Sequence, residues 1–162
     1  MTNRLRDVIR NLHRQPTGTT RQVFALSRHD AERLPSLPSV AVISITAPER
    51  LPANLSSFDH LLRLSFADVD FLSSNLSKKA QEKSRHAFTA EQARMIRSFV
   101  DGLPLEIASI VVHCEGGYSR SCAVACGLHK LYGYTVEMNL LSQANPSVVR
   151  ILTDKSAGGD GH

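Results

Sequence analysis

Short apolar runs, bounded by polar or turn-forming residues, recur along the chain and predict buried strands. Residues 40–46 and 109–112 are continuous apolar segments rich in β-branched side chains, the pattern of strands that a parallel sheet buries on both faces. Residues 22–26 form a weaker strand candidate, and residues 61–70 alternate apolar and polar side chains before an acidic turn. The pattern therefore predicts several strands, with the one at 109–112 central in the sheet.

Helical periodicity occupies segments between and after these strands. A capping sequence at residues 89–92 opens a helix whose apolar side chains recur at helical spacing. Residues 121–132 predict a buried helix that ends before Gly133, and residues 147–152 predict a short helix capped by Asn145. Strands that alternate with helices indicate the α/β class, with three layers and a mostly parallel central sheet flanked by helices.

The length and apolar content of the chain predict one domain. With 162 residues and 42% hydrophobic residues the chain can build one core, because domains average about 100–200 residues. We assign residues 1–22 to a basic amphipathic segment, residues 23–153 to a single α/β domain, and residues 154–162 to a flexible tail.

The N-terminal segment combines positive charge with an apolar stripe. Its five arginines accompany a single acidic residue, Asp7, and an apolar stripe recurs at helical spacing at Leu5, Val8, Ile9 and Leu12. Such a helix either packs on the domain with its arginines in water or contacts a nucleic acid, a membrane surface or an acidic partner. The residues leave both interpretations open.

Cysteine usage indicates a reducing compartment. The three cysteines lack the paired spacing of a zinc site or a disulfide framework, and neither end resembles a secretory signal or a membrane span. We therefore expect a cytoplasmic protein. Cys122 and Cys126 share one face of the predicted helix, either as small buried hydrophobes or as partners that protect an oxidised Cys114.

The loop after the central strand carries the candidate chemistry. Between Cys114 and Arg120 lie five residues, namely Glu115, Gly116, Gly117, Tyr118 and Ser119. The glycines let backbone N–H groups turn inward, and the start of the next helix adds partial positive charge, so the loop predicts an oxyanion cradle. This environment favours a cysteine thiolate. Arg120 would hold two phosphate oxygens, Ser121 would donate to the departing sulfur, and His113 would fix the loop.

This run of residues resembles a known family signature. His113, Cys114, Gly117, Arg120 and Ser121 match the His-Cys-x-x-Gly-x-x-Arg-Ser pattern of the cysteine-dependent protein tyrosine phosphatase superfamily. Residues 38–153 are similar to its compact dual-specificity branch and to small bacterial tyrosine phosphatases. The resemblance implies a dual-specificity-phosphatase-like fold, a phosphocysteine intermediate, and a loop that holds substrate or inorganic phosphate without a metal or other cofactor.

A phosphatase of this type also needs a proton donor for the leaving alcohol. The segment from Leu64 to Asp68 is similar to the strand and aspartate of dual-specificity enzymes, so Asp68 is the predicted general acid and Asp70 the second candidate. The same resemblance places Asn145 close to the phosphate loop. The polar, cation-rich residues 73–86 are either an inert insertion or a lid that attracts anionic substrates.

These residues predict a hydrolase of phosphate monoesters, with a phosphorylated protein as the expected substrate. The net charge of +4 favours anionic substrates in general but does not identify one. Three alternatives stay open at this point: an RNA 5′-phosphatase, a catalytically inactive phosphate-binding module, and a rhodanese-like sulfurtransferase. All of them would use the same oxyanion cradle.

Overall fold

The structure, a computed structural model, describes residues 1–14, 20–70 and 84–154 of the chain. Within these ranges four strands form one sheet in which every neighbouring pair is parallel. They are β1 (Gln22–Ser27), β2 (Val40–Thr46), β3 (Leu61–Ser65) and β4 (Ser109–Cys114), in the spatial order β1-β4-β2-β3. The predicted strand at 109–112 is confirmed as a central strand, and it continues to Cys114.

Five α-helices accompany the strands within the same described ranges. They are α1 (Asn3–His13), α2 (Arg28–Ala31), α3 (Ala90–Asp101), α4 (Arg120–Tyr132) and α5 (Pro146–Thr153). The helices predicted from residues 89–92, 121–132 and 147–152 are therefore confirmed to within a residue or two at their ends. The sequence reasoning missed α2 and two 3₁₀ helices, Ser84–His86 and Met138–Gln143.

Local capping chemistry sets the ends of the long helices. The Thr89 hydroxyl accepts the backbone N–H of Gln92 at 3.1 Å, and the Gln92 side chain accepts the backbone N–H of Thr89 at 3.1 Å. This reciprocal pair satisfies donors that a helix start leaves unpaired. A different helix, α4, shows a capped C-terminus. It ends before Gly133, whose φ of 72° lies in the left-handed region that favours glycine.

Hydrophobic clusters cover both faces of the sheet. On one face, α3, α4 and α5 pack against strand side chains that include Ile43, Ile110 and Val112. On the other face, α1 and α2 cover a second set that includes Val42 and Val111. Every residue of β2 and β4 is buried, which agrees with the predominantly apolar sequence of both strands. The expected α/β arrangement of a sheet flanked by helices is confirmed, and the described sheet is entirely parallel.

Helix α1 packs its apolar stripe on the sheet. Leu5 and Val8 are buried and belong to the same cluster as Leu26 and Val111 of the strands. Arg4 donates to the Glu137 carboxylate and to the carbonyl of Ala25, both at 2.6 Å. The predicted N-terminal segment and the predicted domain thus share a core, as expected for a helix that packs on the domain. Contact of the remaining arginines with an outside partner stays a prediction.

Part of the predicted loop or lid lies outside the described residues. Residues 73–83 fall there, while Ser84–His86 form a 3₁₀ helix. All but the first residue of the predicted tail, 155–162, also lies outside. No helix in the described parts of the chain combines the length and the apolar character needed to cross a membrane.

Candidate active site

The loop between β4 and α4 lies at the carboxyl edge of the parallel sheet. Strand β4 ends at Cys114 and helix α4 begins at Arg120. We call residues 114–120 the Cys114 loop. In α/β proteins ligands bind outside the carboxyl ends of the strands, because loops and helix N-termini converge there. The predicted strand, loop and helix therefore occur in the expected order and at a suitable edge.

Cys114 is buried at the base of this loop, with 2% of its surface exposed. Its Sγ accepts the backbone N–H of Gly117 at 3.2 Å, and the Ser121 Oγ lies 3.2 Å away. Both groups can donate to a charged sulfur, so they are placed to stabilise a thiolate. The predicted neighbours of the nucleophile are thus brought together around it.

Gly117 is required by the shape of the loop. Its φ of 85° lies in the left-handed region. A Cβ at this position would come within 2.5 Å of the backbone N of Ser27 and 2.7 Å of the carbonyl carbon of Leu26. Because both obstacles are backbone atoms of β1, no side-chain rearrangement can relieve them. Strand β1 therefore fixes the curl of the Cys114 loop.

Arg120 is buried beside the loop, with 7% of its surface exposed. Its Nη1 donates to the carbonyl of Phe66, just after β3, at 2.9 Å. Its Nε is buried and has no hydrogen-bond partner among the described residues. The guanidinium is thus anchored on one side and keeps a donor for another acceptor. A planar fork of this kind matches the oxygens of a phosphate.

The backbone of the Cys114 loop offers further donors. Of the N–H groups of residues 115–119, only that of Gly117 donates a hydrogen bond to another group in the described parts of the chain. Ser119 stands at the N-terminus of α4, yet its hydroxyl does not cap the helix. The amides at the helix start are therefore left for another acceptor, and the helix dipole favours an anion there.

The Ser119 hydroxyl contacts the predicted general acid instead. It donates to Oδ1 of Asp68 at 2.9 Å, and the Asn145 amide donates to the same oxygen at 2.7 Å. Oδ2 of this exposed carboxylate makes no hydrogen bond to the described residues. One oxygen is thus fixed to the loop, and the other can carry a proton.

Asn145 joins three parts of the site. Its backbone N–H donates to the Ser119 carbonyl at 3.1 Å, and its Oδ1 caps α5 by accepting from Ser147 and Val148. Its side-chain amide donates to Asp68 and, at 3.0 Å, to the carbonyl of Val69. The two interpretations, helix cap and neighbour of the loop, therefore both describe it. Since its side-chain donors and acceptor are engaged by the protein, Asn145 is placed to position the acid.

Asp70, the second candidate for the acid, has a different environment. Its Oδ1 accepts from the Ser147 hydroxyl at 2.8 Å, at the start of α5. The Ser119 hydroxyl thus donates to Asp68, whereas the Ser147 hydroxyl donates to Asp70. This geometry favours Asp68 as the carboxyl group of the site.

His113 is buried below the loop, with 1% of its surface exposed. Its Nδ1 lies 3.3 Å from the carbonyl oxygen of Cys114, which can only accept, so Nδ1 carries the proton. Nε2 then accepts from the Ser44 hydroxyl at 2.6 Å. Burial lowers the pKa of His113 from its ordinary value of 6.5, helped by the positive charges of Arg28 and Arg63. The His113 imidazole thus links the backbone at Cys114 to Ser44 of β2.

The Glu115 carboxylate lies beside two arginines. It pairs with Arg28 at 3.2 Å and lies 4.0 Å from the Arg50 guanidinium. The backbone N–H of Arg28 also donates to the Glu115 carbonyl at 3.2 Å. The negative charge inside the loop, which opposes anion binding, is therefore offset by neighbouring arginines. Only the backbone N–H of Glu115 is available for the predicted role in substrate binding.

The remaining loop residues lie at its outer side. Tyr118 is 57% exposed, and its ring lies so close to Gly116 that a Cβ on Gly116 would come within 2.5 Å of the ring.

Cys122 of α4 is buried behind the loop, and its thiol donates to the Gly117 carbonyl at 3.6 Å. Burial, with the nearby Cys114, raises the pKa of Cys122 to about 11. Cys122 is therefore a neutral thiol near pH 7.

The sequence reasoning missed two residues that support the site. Ser44 holds His113, and Arg28 holds Glu115. A hydroxyl within a continuous apolar strand was an available signal for Ser44, because a buried hydroxyl requires a partner. The role of Arg28 depends on contacts 87 residues apart, which no local pattern reveals.

The described residues hold no group of three or more histidine, cysteine, aspartate or glutamate side chains that could bind a metal ion. Comparison with known proteins finds no match for this chain among family models, curated proteins or solved structures. Its function is therefore inferred from its own residues.

Proposed function

We propose that the chain hydrolyses phosphate monoesters through a phosphocysteine on Cys114, in the manner of the cysteine-dependent protein tyrosine phosphatases. The observation that carries this proposal is the Arg120 Nε, a buried donor without a partner among the described residues. Leaving such a donor unsatisfied costs about 1–3 kcal/mol, so a bound oxyanion that accepts from it would recover that energy. Phosphorylated protein is the proposed substrate class.

In the first step the Cys114 thiolate attacks phosphorus. The new S–P bond forms as the P–O bond to the alcohol breaks, while loop amides and Arg120 hold the remaining phosphate oxygens. The protonated carboxyl of Asp68 gives its proton to the departing oxygen. Its Oδ1 is fixed by Ser119 and Asn145, which leaves Oδ2 as the oxygen that can carry this proton.

In the second step water releases the phosphate. Asp68, now a carboxylate, takes a proton from the attacking water, a P–O bond forms and the S–P bond breaks. Cys114 leaves as a thiolate, and the Ser121 hydroxyl, 3.2 Å from the sulfur, donates to it. With the proton taken from water, Asp68 is protonated again and Cys114 is a thiolate, so both residues are back in their starting protonation states.

Two further expectations belong to this proposal. The parallel sheet, with the Cys114 loop at its carboxyl edge, supports a dual-specificity-phosphatase-like fold. The three cysteines are free thiols in the described residues, which supports a reducing compartment such as the cytoplasm.

The direct test is hydrolysis of p-nitrophenyl phosphate by the wild type and by Cys114→Ser. We expect phosphate release by the wild type, none by the variant, and a phosphorylated Cys114 peptide in rapidly quenched wild-type reactions. Cys126→Ser is the matched control, because Cys126 is a partly buried cysteine on α4, outside the Cys114 loop. Turnover by Cys114→Ser equal to that of the wild type would remove the proposed nucleophile.

The alternatives give different results in the same set of assays. A sulfurtransferase would form thiocyanate from thiosulfate and cyanide. An inactive binding module would bind phosphate without turnover, and an RNA 5′-phosphatase would release phosphate from triphosphate ends while ignoring phosphopeptides. Hydrolysis of phosphopeptides without any of these reactions is the outcome expected here.

A further inference from the structure

A cavity opens beside the Cys114 loop, at the carboxyl ends of β2 and β3. It measures about 200 Å³ and does not include the nucleophile. Its lining residues are Thr46, Arg50, Pro52, Arg63, Leu64 and Ser65. None of these residues takes part in the bond-breaking steps proposed above.

The strand register fixes the position of this cavity relative to the loop. Ser44 of β2 pairs with His113 of β4, so Thr46, two residues further, is level with Glu115 of the loop. Thr46 in turn pairs with Ser65 of β3. Neighbouring strands lie about 4.8 Å apart, so the cavity floor lies roughly 5–10 Å to one side of the Cys114 loop.

The cavity carries positive charge. Arg50 and Arg63 are exposed, and none of the described residues that line the cavity carries a carboxylate. The Glu115 carboxylate lies 4.0 Å from the Arg50 guanidinium, but Arg28 binds its other oxygen at 3.2 Å. Arg63 uses Nη1 to donate to the carbonyl of Ala53. Each guanidinium therefore has donors to spare for an anion.

We propose that this cavity binds an acidic side chain of a phosphopeptide, two residues from the phosphorylated residue. The proposal rests on the hydrolase function proposed above. Side chains at positions i and i+2 of an extended peptide lie on one side and about 6.5–7 Å apart, which matches the separation of the cavity from the loop. A glutamate fits best, because Leu64 and Pro52 can contact its methylene groups while the arginines bind its carboxylate.

The test compares peptides that differ by one charge. Phosphotyrosine and phosphoserine peptides carry either Glu or Gln at the second position before or after the phosphorylated residue. For one of these placements we expect a wild-type kcat/KM about fivefold higher with Glu, as an exposed ion pair is worth about 1 kcal/mol. Added salt should reduce this ratio, because it screens exposed charges.

Variants assign the preference to the cavity. In the double variant Arg50→Gln and Arg63→Gln, the Glu-to-Gln ratio should fall to near one. Arg94→Gln, which removes an exposed arginine on α3, is the matched control and should keep the wild-type ratio. The salt dependence of the wild type tests the same charge effect without any substitution.

The outcomes separate this proposal from the proposed function. Hydrolysis of p-nitrophenyl phosphate with equal rates for Glu and Gln peptides would overturn the second site alone. Hydrolysis of p-nitrophenyl phosphate without any turnover of phosphopeptides would do the same, as would a Glu-to-Gln ratio that stays unchanged in the Arg50→Gln and Arg63→Gln double variant. Absence of all phosphate release would overturn both proposals.

Discussion

The Ser119 hydroxyl donates a hydrogen bond of 2.9 Å to Oδ1 of Asp68, which connects the Cys114 loop to the segment after β3. Asn145 donates to the same oxygen from the start of α5. Because both donors hold one oxygen, the carboxyl group is oriented without being fully engaged. An acid that must donate and then recover a proton needs this combination of fixed position and one free oxygen.

The first prediction concerns the choice between Asp68 and Asp70. Asp68→Asn should lower kcat for phenyl phosphate by about 10²–10⁴-fold and remove one limb of its pH profile, because the proton donor is lost. The loss should be smaller for p-nitrophenyl phosphate, whose leaving group departs without a proton. Asp70→Asn is the control, and a larger effect of that variant would transfer the acid role to Asp70.

The second prediction compares Gly117 and Gly133, the glycines with positive φ in the described parts of the chain. Gly117→Ala should lower the free energy of unfolding by at least about 2 kcal/mol and abolish activity, since strain and contact with the β1 backbone add. Gly133→Ala, with φ of 72° and nothing within 4 Å of the added Cβ, should cost about 1 kcal/mol. Urea denaturation of both variants gives the comparison. Equal losses would contradict the steric role of β1.

The third prediction follows from the lowered pKa of His113. In the unfolded chain this imidazole binds a proton near pH 6.5, whereas in the folded protein it does so only at lower pH. The unfolded state therefore binds more protons in this window. The contribution of His113 to the free energy of unfolding should be fully present above pH 6.5. It should fall as the pH drops below 6.5, by at most about 1.4 kcal/mol per pH unit.

Urea midpoints of the wild type and His113→Gln between pH 5 and pH 8 measure this contribution. The variant should show a weaker dependence on pH than the wild type, and His13→Gln, at an exposed histidine of α1, is the matched control. Parallel pH curves for wild type and His113→Gln would show that the buried imidazole does not contribute.

The fourth prediction concerns the shape of the Arg120 side chain. Arg120→Lys should lower kcat/KM by about 10²–10³-fold and weaken inhibition by inorganic phosphate, because a lysine cannot both reach the Phe66 carbonyl and present a fork. Arg21→Lys is the control, since Arg21 donates to the carbonyls of Ile107 and Pro104 and lies outside the Cys114 loop. Unchanged phosphate inhibition in Arg120→Lys would contradict the proposed contact.

The fifth prediction separates the cysteines by reactivity. With iodoacetamide at pH 7 we expect Cys114 to be alkylated before Cys122, whose pKa of about 11 keeps it neutral. Inorganic phosphate should slow the reaction of Cys114 by occupying the loop. Peptide mass spectrometry measures both sites, and earlier labelling of Cys122 would contradict the assignment of the reactive sulfur.

Much of the secondary structure was predictable because its signals are local. Residues 40–46 form a strand because a run of β-branched apolar residues can be buried on both faces. Thr89 and Gln92 bound a helix through bonds three residues apart. The strand order was not predictable in this way, because pairing between β2 and β4 depends on residues about 70 positions apart, as Val40 and Ser109 illustrate.

The site was predictable only where its members are close in sequence. The residues from His113 to Ser121 are consecutive in the chain, so their spacing alone indicated an oxyanion cradle. Helix α2 consists of a single turn capped by Ser27, too short for a periodic signal, yet it begins with the arginine that holds Glu115. Likewise, Ser119 was predicted as a member of the substrate-binding loop, but the hydrogen bond from its hydroxyl to Asp68, 51 residues away, has no local signal.

The hydrogen bonds among Asp68, Ser119 and Asn145 affect the order in which the site forms during folding. Ser119 and Asn145 are 51 and 77 residues from Asp68 along the chain, so the three residues meet only after β3, β4 and α5 have all packed together. A partly folded chain can form the Cys114 loop, with its backbone N–H groups around the sulfur, before Asp68 takes its final position. Such an intermediate would capture phosphate but not turn it over, which makes catalytic turnover a late reporter of native assembly.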